Sequence, residues 1–96
     1  MPSSSLFDLG GKVAVVTGGS RGIGRAICER MAEHGAKVVV SSRKLDACQV
    51  VVDAIKGRGG EAMAVACNIG RKPELQALVE AASATYGGID ILVCNA

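Results

Sequence analysis

From Thr17 to Gly24 the sequence reads Thr17-Gly18-Gly19-Ser20-Arg21-Gly22-Ile23-Gly24, directly after the apolar run Val13-Ala14-Val15-Val16. Three of its glycines have separate uses. Gly18 can take a tight turn off a strand, Gly22 lets backbone N–H groups approach a pyrophosphate, and Gly24 lets the following helix pack close to a sheet. A helix that starts here points its unpaired N–H groups and the positive end of its dipole at the turn, which makes an anion site before any side chain is counted. The plainer alternative is that the glycines only close a strand-to-helix turn, with Ser20 as N-cap. A nucleotide-triphosphatase loop is excluded, because Gly24 is followed by Arg25-Ala26 and not by Lys and then Ser or Thr.

The elements that must position this turn are legible as alternating runs. Strand-sized apolar stretches begin at Val13, Val38, Ala62 and Ile89, and the segments between them carry apolar residues at helical spacing. The first helical segment opens near Arg21, puts Ile23, Ala26, Ile27 and Met31 on one stripe, and stops at Gly35. The second carries Leu45, Cys48, Val52 and Ile55 and ends at Gly57, Gly59 and Gly60. The third has Pro73 in its first turn and Leu75, Leu78, Val79 and Ala82 facing inward, before Gly87-Gly88 turns the chain. Strands without polar alternation must be covered on both faces, so the order β-α-β-α-β-α-β predicts an α/β domain with a parallel sheet between helices. The last strand, Ile89 to Cys94, leaves only Asn95 and Ala96 after it.

Composition narrows the classes. The chain has 96 residues, 49% of them hydrophobic, enough for one small domain with a core. Its net charge is +2, with Phe7 and Tyr86 as the only aromatics, which gives no support for a nucleic-acid groove. Cys28, Cys48, Cys67 and Cys94 form no C-x-x-C pair and have no His at zinc-ligand spacing, so they read as reduced apolar residues and no metal is expected. The stretch Met1 to Leu9 lacks the features of a signal peptide, and no apolar run approaches the roughly 20 residues of a membrane span. The expectation is a cytoplasmic protein.

With Thr17-Gly18-x-x-x-Gly22-x-Gly24 in place, the sequence resembles the short-chain dehydrogenase/reductase family over essentially all of residues 6–96. A second mark is Ile91-Leu92-Val93-Cys94-Asn95-Ala96, which looks like the start of the family's N-N-A-G motif with Cys94 in place of the first Asn. That departure removes a side-chain hydrogen-bonding group that the family often uses to steady the central sheet. Val38 to Lys44 together with Cys67-Asn68-Ile69-Gly70 look most like the NADPH-dependent carbonyl and retinal reductase branch. The resemblance implies a doubly wound, Rossmann-like sheet of strand order 3-2-1-4.

The resemblance also implies site residues. Gly18, Ser20, Arg21, Gly22, Ile23 and Gly24 would hold the pyrophosphate. NAD users of this kind carry an acidic residue at the end of the second strand, where Ser42 stands here. A serine leaves room for a 2′-phosphate without repulsion, Arg43 offers it a planar fork of donors, and Arg21 could add a second cation, so NADP(H) is the expected cofactor. Against this, Arg43 could be a solvated charge and Arg21 a surface side chain. Asn68 and Ile69 would contact adenine, through the Asn68 amide oxygen and the Ile69 N–H, although Asn68 replaces the usual Asp and a simple turn role competes. Asn95 and Ala96 would border the adenosine ribose, with a turn role the alternative for Asn95.

The family's reaction is hydride transfer between nicotinamide and a carbonyl or alcohol carbon, with a Tyr as acid or base and a nearby Lys lowering its pKa. Position 90, the Lys place relative to Tyr86, is Asp, and His34 reads as structural, so no catalytic residue is assigned in this chain. The expectation is an amino-terminal part of an NADP(H)-dependent oxidoreductase, cut after the fourth strand, inactive alone and poorly soluble through its open edge. Its catalytic residues and small-molecule substrate pocket would lie beyond Ala96, and the full-length protein would be a homo-oligomer, a dimer or a tetramer. Two alternatives are a short noncatalytic nucleotide-binding or regulatory module and an inert α/β domain.

Overall fold

The computed structural model describes residues 9–95. The expectations for the amino terminus, Phe7 included, and for Ala96 lie outside them. Seven elements follow one another: β1 (Val13–Thr17), α1 (Gly22–Glu33), β2 (Lys37–Ser42), α2 (Leu45–Gly57), β3 (Glu61–Ala66), α3 (Lys72–Tyr86) and β4 (Ile91–Cys94). The strands form one sheet of order β3-β2-β1-β4, every neighbouring pair parallel. This is the doubly wound α/β fold with the order 3-2-1-4 that the sequence implies.

The two sheet faces have separate cores because side chains alternate along each strand. Ala14, Val16, Val38 and Val40 pack against Cys28 of α1 and Cys48, Val51, Val52 and Ile55 of α2. Val15 and Val39 point the other way, onto Leu78 and Ala82 of α3, with Leu75 and Tyr86 at the margin. Every residue of β1 is buried, as expected of a central strand. Tyr86 ends α3 with the Lys37 ammonium 5.7 Å from its ring centre.

Helix ends follow the glycines where backbone geometry demands them. Gly35 after α1 and Gly87 after α3 have φ of +97° and +87°, the left-handed conformation that stops a helix without a Cβ clash. Pro73 sits in the first turn of α3.

Side-chain exposure and strand starts differ from the sequence reading at several places. Ile23, Leu45 and Val79, expected on inward stripes, are exposed. Ile23 and Leu45 occupy first turns of their helices, past the last sheet residue that could cover them, while on α3 the inward positions are Leu75, Leu78, Ala82 and Tyr86. The third strand is Glu61–Ala66, one residue earlier than expected, and the fourth begins at Ile91 instead of Ile89. There Asp90 replaces strand pairing with its own two bonds to Val13: its backbone N–H donates to the Val13 carbonyl and its carboxylate accepts from the Val13 N–H, both at 2.9 Å.

Candidate functional site

In a parallel sheet all strands end at the same edge, and open α/β sheets bind ligands there. The register aligns Thr17 with Ser41 and Cys94, and Ser42 with Ala66. The segments that follow are therefore neighbours along one rim: Asn68-Ile69, Ser42-Arg43, the glycine turn and Asn95. With strands about 4.8 Å apart, the rim from β3 to β4 spans about 14 Å.

The centre of that rim is a knot of close backbone approaches. Gly18 has φ +66°, and a Cβ there would overlap the Asn95 carbonyl oxygen. A Cβ on Gly24 would overlap the Gly18 carbonyl oxygen and stand 2.8 Å from the Asn95 side-chain nitrogen. Only glycines allow α1 to start this close to β1 and β4. Polar bonds hold the arrangement: the Asn95 side-chain amide donates to the Gly18 carbonyl at 3.3 Å, the Asn95 N–H donates to Thr17 Oγ1 at 3.2 Å, and Thr17 Oγ1 donates to the Val93 carbonyl at 3.3 Å. The Gly19 N–H donates to the Ser41 carbonyl at 3.0 Å, tying the turn to β2 as well.

Gly22 differs from the other two. Its φ is +60°, and a Cβ there would meet nothing within 4 Å. Gly22 opens α1, whose N-cap is Arg21 in extended conformation with no side-chain cap bond, so Ser20 does not cap the helix. An uncapped helix start behind an open glycine is a cradle that suits a phosphate, and the residues present fit a dinucleotide pyrophosphate. Arg21, Ile23 and Arg43 are exposed, and neither arginine joins an ion pair among the described residues.

Ser42 and Asn68 hold their own turns. Ser42 Oγ accepts the Lys44 N–H at 3.1 Å, lies 3.1 Å from Cys48 Sγ and stands 3.2 Å from the Lys44 carbonyl. Asn68 Oδ1 accepts the Gly70 N–H at 2.9 Å, while its backbone N–H donates to Glu74 at 2.9 Å. Ile69 beside it is half exposed. Ala96, the last of the candidate residues, lies outside the described residues.

Three contributors escaped the sequence reading. Thr17, 2% exposed, bridges β1 to β4; the motif includes it, but the sequence reading gives its hydroxyl no role. Gly19 leaves room for Cys28, whose sulfur would stand 2.9 Å from a Cβ there. Asp90 fixes the start of β4. Beneath the turn, burial, reinforced by Cys48 and Glu29, pushes the Cys28 thiol from 9.0 up to about 12. Among the described residues there is no group of three His, Cys, Asp or Glu that could hold a metal, and no helix is long and apolar enough to cross a membrane.

Known proteins share this arrangement. A probable tetrahydroxynaphthalene reductase of Zymoseptoria tritici is 45% identical over 95 residues, covering 98% of this chain and 36% of that protein. The crystal structure of a hydroxysteroid dehydrogenase from Escherichia coli superposes with a TM-score of 0.94 at 45% identity, over 99% of this chain and 40% of that one. A metagenomic short-chain oxidoreductase solved in complex with NADP gives a TM-score of 0.89 at 40% identity, over 93% of this chain and 40% of its own. The chain thus spans well under half the length of the relatives it matches. The family profile described as short chain dehydrogenase matches residues 12–96. With the glycine turn, the strand order and these likenesses in agreement, the chain belongs to the short-chain dehydrogenase family.

Proposed function

We propose that this chain builds the adenosine-phosphate half of an NADP(H) site in an oxidoreductase that moves a hydride between nicotinamide and a small carbonyl or alcohol substrate. The observation that carries it is the rim itself: an open, uncapped helix start at Gly22, with Ser42 rather than a carboxylate at the end of β2 and, next to it, the exposed Arg43, which joins no ion pair among the described residues. The NADP complex of a 40% identical neighbour supports the cofactor. Gly18, Gly22 and Gly24, with Ser20, Arg21 and Ile23, form the pyrophosphate cradle. Ser42 and Arg43 take the 2′-phosphate, Asn68 and Ile69 border adenine, and Asn95 and Ala96 border the ribose.

NADP(H) supplies the hydride. The residues of this chain bind and orient it, and the proton-transfer groups belong to sequence beyond these 96 positions. The chain alone is therefore inactive, and the whole protein works in the cytoplasm as a homo-oligomer. The test is calorimetric titration of the complete gene product with NADP+ and with NAD+, before and after Arg43→Ala. The expected result is tighter binding of NADP+ and a loss of about ten- to a hundredfold for NADP+ only, the weight of a charge-assisted bond. Equal affinities for the two nucleotides would overturn the cofactor reading.

A further inference from the structure

A buried cysteine stands behind the serine of the proposed 2′-phosphate site. Cys48, on the first turn of α2 and fully buried, has its sulfur 3.1 Å from Ser42 Oγ. The same hydroxyl accepts the Lys44 N–H at 3.1 Å. A serine hydroxyl has two acceptor lone pairs and one proton, and a thiol is a weak donor. The Lys44 N–H fills one lone pair, and the Cys48 S–H can fill the other. With both filled, the Ser42 hydroxyl has only its proton left to offer.

We propose that Cys48 is a positioning residue for cofactor specificity: its thiol makes Ser42 a hydrogen-bond donor toward the 2′-phosphate. This rests on the NADP(H) reading above. The Lys44 carbonyl, 3.2 Å from the Ser42 oxygen, is the neutral acceptor for that proton within the chain. A phosphate oxygen displaces it, because bonds to an ionised acceptor are roughly twice as strong as neutral ones. A ribose 2′-hydroxyl brings no charge and both donates and accepts, so it gains much less from an obligate donor. The thiol therefore favours NADP+ over NAD+ without touching either.

The experiment measures NADP+ and NAD+ dissociation constants for the complete protein and for Cys48→Ala, Cys48→Val, Cys48→Ser and Ser42→Ala. Cys48→Val fills the space without a donor, so a cavity is not confused with a lost bond, and it stands in if Cys48→Ala does not fold. The expected result is that Cys48→Ala and Cys48→Val weaken NADP+ by about two- to tenfold, the weight of one neutral hydrogen bond, and leave NAD+ unchanged. Cys48→Ser, which keeps a donor, restores the preference. In a Ser42→Ala background, Cys48→Ala has no further effect on NADP+, since the two residues act as one unit. An unchanged NADP+/NAD+ ratio in Cys48→Ala and Cys48→Val, or an equal loss for both nucleotides, would overturn the proposal while leaving the cofactor reading intact. No preference in the unaltered protein would bring down both, and that pattern is distinct.

Discussion

Gly22 and Gly24 sit two positions apart in the turn and are glycines for different reasons. At Gly22 the constraint is the backbone, with φ +60° and open space around it. At Gly24 it is room, because a Cβ would press on the Gly18 carbonyl and the Asn95 amide. Alanine at either site destabilises the fold, by about 1–2 kcal/mol at Gly22 through backbone strain and by about 1–3 kcal/mol at Gly24 through overpacking. Asparagine separates the two causes, since it tolerates the left-handed conformation but is larger. Thermal melts should show Gly22→Asn recovering most of the loss and Gly24→Asn recovering none; equal behaviour would remove the distinction. The glycine types and their spacing were readable from sequence. Thr17 was not, because its value lies in meeting Asn95 and Val93 across β4, and no local pattern announces a partner so distant in sequence.

Cys28 gives the residue scale a pH dependence. The unfolded chain releases this thiol proton near pH 9.0, whereas the folded chain keeps it until about pH 12. Between those values the unfolded state binds fewer protons, so its contribution to stability, complete below pH 9, falls as pH rises, by up to about 1.4 kcal/mol per unit. Burial raises Cys67 and Tyr86 in the same direction. Urea midpoints followed from pH 8 upward should fall more steeply in the unaltered chain than in Cys28→Ala. Parallel slopes would show that the thiol does not contribute.

Among the elements, α3 bears an unequal load. The α1/α2 face of the sheet is covered by two helices, but the other has only α3 among the described residues, with Leu78 at its centre. Leu78→Ala should therefore cost about 2–5 kcal/mol, with little chance for neighbours to close the gap. The adjacent Val79→Ala, at a 42% exposed position, should cost far less. Denaturation midpoints compare the two, and similar losses would mean that α3 sits differently on the sheet. Helical periodicity found α3 but admitted both residues to its inner stripe, since neighbouring positions differ by only 100° around a helix and the sheet decides which one it covers. The same limit applies to β4. Its apolar run suggested a start at Ile89, yet the Asp90 carboxylate takes the Val13 N–H and delays regular pairing.

At the scale of the molecule, β1 and β2 are flanked on both sides, while β4 pairs only with β1 among the described residues and Leu92 is 55% exposed. An apolar edge of this kind is a template for further strands. The 96-residue chain expressed alone should associate in a concentration-dependent way in sedimentation equilibrium, and Leu92→Lys should reduce the association without lowering the melting temperature much. A monomer at every concentration, unfolding in one sharp transition, would contradict this. The parallel order was legible because strands apolar on both faces must be sandwiched. The open flank of β4 was an expectation of the resemblance and not of the strand itself, since an apolar strand reads the same whether or not anything covers it.

The bond from the Asn95 N–H to the Thr17 hydroxyl joins residues 78 positions apart. At roughly 5–20 residues per second of synthesis, Thr17 leaves the ribosome about 4–16 s before its partner exists. The glycine turn is among the first segments made but is finished only once β4 has emerged. A nascent chain paused before β4 would carry the nucleotide motif without its final shape, so ligand capture on the ribosome should begin only after Asn95 has emerged.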